Sequence, residues 1–256
     1  MSSILQNIVK NKRLEVEAAA ARVDCAVLRR LAELIDRPCL SMTASIRQTP
    51  TAIIAEHKRR SPSRGEILRD KSVAEVVKAY ESDGAAACSI LTDTQFFGGA
   101  LTDLDVARRE VAIPLLRKDF IVSPYQIYEA RVHGADAILL IGSVLTRDEV
   151  RRLTDIAHSL SLQVLYEIHD DDDVTRIPND VDMVGVNNRC LADFSTDISH
   201  AVNMIDRLPA DVIRVAESGI ASAADVRRLA DAGFDAFLVG TVLASGETTI
   251  PCLTKQ

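Results

Sequence analysis

Short, almost continuously apolar runs alternate along the chain with stretches where apolar residues recur every three or four positions. The short runs fall at 52–57, 86–91, 113–117, 137–141, 163–166, 183–186, 212–216 and 236–239. A strand covered on both faces reads this way, because neither row of side chains meets water. The stretches between them carry helical spacing, as in Val73-Val76-Val77-Tyr80 and Val150-Leu153-Ile156-Ala157. Eight strands alternating with helices predict a parallel α/β fold. A weak repeat favours closure of that sheet. Asp83-Gly84-Ala85, Gly134-Ala135-Asp136-Ala137 and Gly233-Phe234-Asp235-Ala236 each close a helix and open a strand, with glycine where a left-handed helix cap is expected. They recur at about 50 or about 100 residues, the spacing of one or two double modules in a (β/α)8 TIM barrel. An open doubly wound sheet fits less well, because no glycine-rich dinucleotide fingerprint follows the first strand.

The two ends depart from an ideal barrel. Residues 1–45 are expected to form a helical extension, on the patterns Ile4-Leu5-Ile8-Val9 and Val27-Leu28-Leu31-Leu34-Ile35, with the barrel over 46–256. After Gly240 sixteen residues remain, Gly246 and Pro251 among them, so the last helix is expected to be shortened or missing. Its loss would expose apolar surface, which a partner subunit or the extension is expected to cover.

Composition narrows the function classes. With 256 residues, 47% apolar and 26% charged, the chain has the size and balance of one globular barrel. A net charge of −7 and a pI of 5.3 argue against nucleic-acid or membrane partners but leave room for a small anionic substrate. The five cysteines are scattered with no Cys-x-x-Cys pair, which suggests neither a disulfide framework nor a metal site and fits a reducing compartment. The N-terminal residues lack a signal-peptide pattern and no apolar run reaches membrane-spanning length, so a cytoplasmic location is expected.

The candidate chemistry lies where the strands end, since in a (β/α)8 barrel all these ends meet at one mouth. Strand one ends Glu56-His57-Lys58, strand three reaches Lys118, strand five Glu167, strand six Asn188-Arg189, strand seven Glu217-Ser218-Gly219 and strand eight Gly240-Thr241. Glu56 and Lys58 are two apart and share a strand face, so His57 points the other way and is read as a packed structural histidine. Cys88 reads as a small core residue. A structural ion-pair ring would explain Glu56, Lys58, Lys118, Glu167 and Glu217 individually. Five such groups at five strand ends favour a functional site. Two neighbouring lysines are expected to depress each other's pKa against the pull of the glutamates, leaving a lysine near neutrality to act as an acid. The basic, Ser-, Pro- and Gly-containing run over 58–65 suits a mobile loop above an anion. Small residues Ser218, Gly219, Gly240 and Thr241 leave backbone N–H groups open to a phosphate.

At these positions the chain resembles the indole-3-glycerol phosphate synthases. The resemblance rests on Ile54-Ala55-Glu56-His57-Lys58-Arg59-Arg60-Ser61-Pro62-Ser63, Pro114-Leu115-Leu116-Arg117-Lys118-Asp119-Phe120, Val186-Asn187-Asn188-Arg189 and Ala216-Glu217-Ser218-Gly219-Ile220, and runs from about Leu5 to Leu243. It implies a carboxyphenylamino-deoxyribulose phosphate substrate, no cofactor, and a monomer or weak homo-oligomer. It further implies Lys118 as general acid, Glu167 as the carboxylate of the second proton transfer, and Lys58 on the substrate's anionic groups. Glu56, Asn188 and Glu217 would complete the network. Arg189 would face the anthranilate carboxylate, Ser61, Ser218, Gly219, Gly240 and Thr241 would bind substrate, and Phe96 and Phe120 would line an aromatic pocket. Two segments depart from the pattern: the region after Gly240, and Cys190 followed by Ala192-Asp193. A phosphoribosylanthranilate isomerase would instead carry a cysteine at strand one and an aspartate at strand six. A non-catalytic barrel scaffold would be expected to have lost one of the charged residues.

Overall fold

The computed structural model describes residues 3–61, 65–67, 71–190 and 195–255. Among them, eight parallel strands close a barrel: β1 (Ala52–His57), β2 (Ala87–Leu91), β3 (Leu115–Lys118), β4 (Ala137–Ile141), β5 (Gln163–Ile168), β6 (Met183–Asn187), β7 (Ile213–Glu217) and β8 (Ala236–Val239). Each pairs with its neighbours in sequence, and β8 returns to β1 with Ala52 opposite Ala236. Four strands, β3, β5, β6 and β7, reach further than their apolar runs. Lys118, Glu167 and Glu217 lie inside the ladder, with Glu167 opposite Gly185 and Asn187 opposite Glu217.

The helices are α1 (Ser3–Ala20), α2 (Cys25–Glu33), α3 (Met42–Gln48), α4 (Val73–Ser82), α5 (Thr94–Phe97), α6 (Thr102–Glu110), α7 (Pro124–Val132), α8 (Arg147–Ser159), α9 (Asp171–Val174), α10 (Ser199–Met204), α11 (Ala223–Ala232), α12 (Thr241–Ala244) and α13 (Ile250–Leu253). Capping boxes start three of them. Ser72 with Glu75, Thr146 with Glu149 and Ser222 with Asp225 exchange side-chain and backbone hydrogen bonds, satisfying N–H groups that a helix start leaves open.

Strand alternation splits the apolar interior into two layers. Ala52, Ile54, Leu116, Leu139, Leu165, Met183, Val215 and Leu238 fill the lumen. Ile53, Cys88, Ile90, Leu140, Val164, Tyr166, Val184 and Phe237 pack outward among residues of the surrounding helices. The lumen row is therefore even-numbered in β1, β3 and β8 and odd-numbered in β4 to β7, which decides what reaches the mouth.

The N-terminal helices lie against the barrel. Leu28 and Ala32 of α2 are buried in the outer layer, and Leu5 and Ile8 of α1 are buried at the mouth. Lys12 ties α1 down through ion pairs to Asp93 at 2.9 Å and Asp119 at 3.0 Å. At the other end of the chain the expected shortening is seen, with two four-residue helices, α12 and α13, after β8. The chain's own α13 packs on α11, with Ile250 and Leu253 each 1% exposed.

Candidate active site

A cavity of about 440 Å3 opens at the carboxyl ends of the strands. Continuing each lumen row past the apolar layer places Glu56 and Lys58 from β1, Lys118 from β3, Glu167 from β5, Asn187 from β6, Glu217 from β7 and Gly240 after β8 around one space. Lys118 stands at its centre. Its ammonium donates to Glu167 Oε2 at 2.6 Å and to Glu217 Oε2 at 2.7 Å. Lys58 donates to Glu56 Oε1 at 2.6 Å, and Asn187 Nδ2 donates to the second oxygen of Glu167 at 3.1 Å.

Glycine makes room for two of these carboxylates. A Cβ at Gly185 would collide with Glu217 Oε1, and one at Gly240 with Glu56 Oε1. Both glycines occupy lumen positions beside a strand that carries a glutamate. Their lack of a side chain is what lets an acidic group lie across the neighbouring strand.

Electrostatics at the centre differ from the sequence expectation of a lysine near neutrality. Burial alone would lower the Lys118 pKa, but the fields of Glu167, Glu217 and Glu56 outweigh it and hold it above the ordinary lysine value. Burial pushes Glu167 up as well, yet Lys118 and then His169 bring it down to about 2. Glu217 goes the other way. Burial, reinforced by the charge of Glu167, overcomes Lys118 and holds it up to about 8. One ammonium cannot neutralise two buried carboxylates, so the second keeps its proton into the neutral range.

Most of the other expected site residues also border the cavity: Ser61, Phe120, Arg189, Ser218, Gly219, Gly240 and Thr241. Ser218 and Gly219 are consecutive left-handed residues, with φ of 65° and 77°, so the chain turns sharply at the cavity wall. Arg189 is steered by its own backbone, which donates to Asn187 Oδ1 at 3.0 Å. The tip of the expected loop, 62–64, and the unfamiliar Ala192-Asp193 lie outside the described residues. His57 faces outward as expected, 1% exposed, and burial pushes its pKa down to about 4.

Two expectations are corrected. Asn188 does not reach the cavity. Its Nδ2 donates to the carbonyls of Glu217 at 3.1 Å and Ser218 at 3.2 Å, and its Oδ1 accepts from the Ala201 amide. It sits on the outward row and braces β7 against α10, while Asn187 takes the lumen position. Phe96 is likewise displaced by its neighbour. Phe97 lines the cavity, with its ring centroid 6.1 Å from that of Phe120, because Asp93 caps α5 and turns residue 97 inward. Sequence reasoning also missed His169 and the α1 residues Ile4, Leu5 and Ile8 at the cavity wall. Parity from Glu167 would have found the histidine; nothing local marks the α1 residues.

Comparison with known proteins agrees over almost the whole chain. The family model described as indole-3-glycerol phosphate synthase matches residues 5–251. The synthase of Koribacter versatilis is 43% identical over 97% of this chain and 96% of its own length. That of Bacteroides thetaiotaomicron is 42% identical, covering 94% and 92%. Among solved structures, one of the tryptophan synthase α2β2 complex from Pyrococcus furiosus has a TM-score of 0.60 at 15% identity, covering 79% of this chain and 93% of that one. At that identity the likeness speaks for the barrel alone.

Proposed function

The chain belongs to the indole-3-glycerol phosphate synthase family, and on that premise we propose that Lys118, Glu167 and Lys58 carry its reaction inside the mouth cavity. The enzyme is a carbon–carbon lyase of tryptophan biosynthesis that closes, decarboxylates and dehydrates 1-(2-carboxyphenylamino)-1-deoxyribulose 5-phosphate. Ring closure attacks the ketone carbon, and negative charge builds on the ketone oxygen. Lys118 supplies the proton that lowers this charge. Loss of carbon dioxide leaves an electron pair that the adjacent iminium carbon accepts. Dehydration then needs an acid where the hydroxyl leaves, which is Lys118 once it has regained a proton from solvent, and a base where a proton is lost, which is Glu167. Lys58 holds the anionic groups of the substrate, and Glu56 fixes its ammonium.

The supporting observation is the convergence of Lys118 on Glu167 and Glu217 at 2.6 and 2.7 Å beside Lys58 in one cavity. Asn187, in place of Asn188, orients Glu167, and Glu217 keeps Lys118 over the lumen. Arg189 recognises the anthranilate carboxylate, Phe97 and Phe120 stack on its ring, and Ser61, Ser218, Gly219, Gly240 and Thr241 take the phosphate. The enzyme acts in the cytoplasm as a monomer or weak homo-oligomer. Cysteines without disulfides support the first, and the exposed apolar row of Val27 and Leu31 on α2 with Leu34 just beyond its end leaves room for weak self-association. Direct measurement of indole-3-glycerol phosphate tests the site. Lys118→Ala and Glu167→Gln are each expected to lose at least ~10² in turnover with an unchanged circular-dichroism spectrum. Near-normal turnover in either variant removes that residue from the mechanism.

A further inference from the structure

The lumen row that carries Glu167 continues by one more residue. Just past the end of β5, His169 borders the same cavity, with its side chain 10% exposed. Its Nε2 stands 3.4 Å from Glu167 Oε1 and its Nδ1 stands 4.0 Å from Asp173 Oδ2. Neither ring nitrogen has a hydrogen-bond partner. Buried imidazoles normally satisfy at least one nitrogen, and leaving both unmet costs stability. Here Nε2 lies within reach of Glu167 but off hydrogen-bond alignment, and Nδ1 lies beyond reach of Asp173.

Asp173 is itself fixed. It accepts from the His169 amide at 2.9 Å and pairs with Arg176 at 3.1 Å, while its own amide is held by Asp170. The charged groups around the imidazole are thus Glu167 on β5, Lys118 and Glu217 behind it on β3 and β7, and Asp170, Asp173 and Arg176 at α9. Carboxylates stand nearest on both sides of the ring.

We propose that His169 is the proton relay behind Glu167. Glu167 takes a proton from the substrate during dehydration and becomes a carboxylic acid. The lone pair of Nε2 then receives that proton: the Glu167 O–H bond breaks, an N–H bond forms, and the carboxylate is restored. The resulting imidazolium lies between Glu167 and Asp173 and returns its proton to water at the cavity mouth. In its resting tautomer the ring carries hydrogen on Nδ1, towards Asp173, and Asp173 acts as the backing charge. The relay rests on the assignment of Glu167 as base.

The test is steady-state turnover of the full chain across about pH 5 to 9, with His169→Asn and His169→Gln beside wild type. A group that accepts a proton only while neutral imposes an acidic limb on kcat. Both variants are expected to lose at least ~10-fold in kcat with KM within about twofold, and to lose that limb. A kcat unchanged in both variants, or one lowered with the acidic limb intact, overturns the relay. Glu167→Gln separates the two readings. If it is inactive while His169→Asn behaves as wild type, only the relay fails; if it is active, the base assignment itself is wrong.

Discussion

Lys118 spends the resting state between two carboxylates that compete for one charge. The loser is Glu217, which keeps its proton up to about pH 8. Below that value Lys118 is held mainly by Glu167. Above it, ionised Glu217 adds a second negative charge, which makes the ammonium a weaker acid and repels an anionic substrate. Wild-type kcat/KM is therefore expected to fall above about pH 8, and Glu217→Gln is expected to abolish that alkaline limb whatever its absolute rate; a limb that persists in the variant assigns it elsewhere. The adjacent asparagines allow a sharper contrast. Asn187 holds Glu167 and the Arg189 amide at the cavity wall, so Asn187→Ala is expected to cost turnover and to lower the melting temperature less than Asn188→Ala does. Asn188→Ala takes the side-chain partner from the Ser218 carbonyl and from the buried Ala201 amide and weakens the hold on the Glu217 carbonyl, which predicts a loss of roughly 1–3 kcal/mol in denaturant unfolding. Kinetics and melts on the two variants decide it, and equal effects in both would contradict the placement.

At the scale of elements, what could be read in advance followed from periodicity. Eight apolar runs marked eight strands because strands sealed on both faces exclude polar residues throughout. That same continuity hid the inward row: in Val184-Gly185-Val186 nothing local says which side is lumen, so Asn187 and Asn188 were indistinguishable in β6. Where a polar residue falls inside the run, as with Glu56, parity was fixed, and it extended correctly to Lys58. The α1 contribution was invisible for another reason. Its docking depends on Lys12 reaching Asp93 and Asp119, residues about 80 and 107 positions away, and a lysine in an amphipathic helix ordinarily faces water. Here it is 3% exposed. Lys12→Met leaves those aspartates short of a cation, and breaking a buried pair this way typically costs ~3–5 kcal/mol. The helix can relieve that by lifting, which opens the wall formed by Ile4, Leu5 and Ile8. The expected signature is a lower melting temperature with KM raised more than kcat is lowered. A variant with wild-type KM would mean that α1 does not shape the bound state.

The whole molecule divides its buried charges between two ends. At the carboxyl ends of the strands they surround a cavity and are incompletely neutralised, as Glu217 shows. At the opposite end they are neutralised and enclosed. Asp136, whose side chain is fully buried, pairs with Arg37 at 2.7 Å and Arg108 at 2.8 Å. It also accepts from the amides of Leu40 at 3.0 Å and Leu115 at 2.9 Å. One carboxylate thereby joins the segment after α2, helix α6 and the starts of β3 and β4. Barrel enzymes keep chemistry at one face and stability at the other, and this network is the stability half. Asp136→Asn replaces an acceptor of four bonds by an amide whose NH2 meets two donors, and it strips two arginines of their counter-charge. A loss of ~3–5 kcal/mol is expected, read as a lower urea midpoint at unchanged slope. Because no part of the network touches the cavity lining, kcat and KM below the transition should stay within about twofold of wild type. A variant that kept its stability but lost activity would show that the two ends are coupled through the strands.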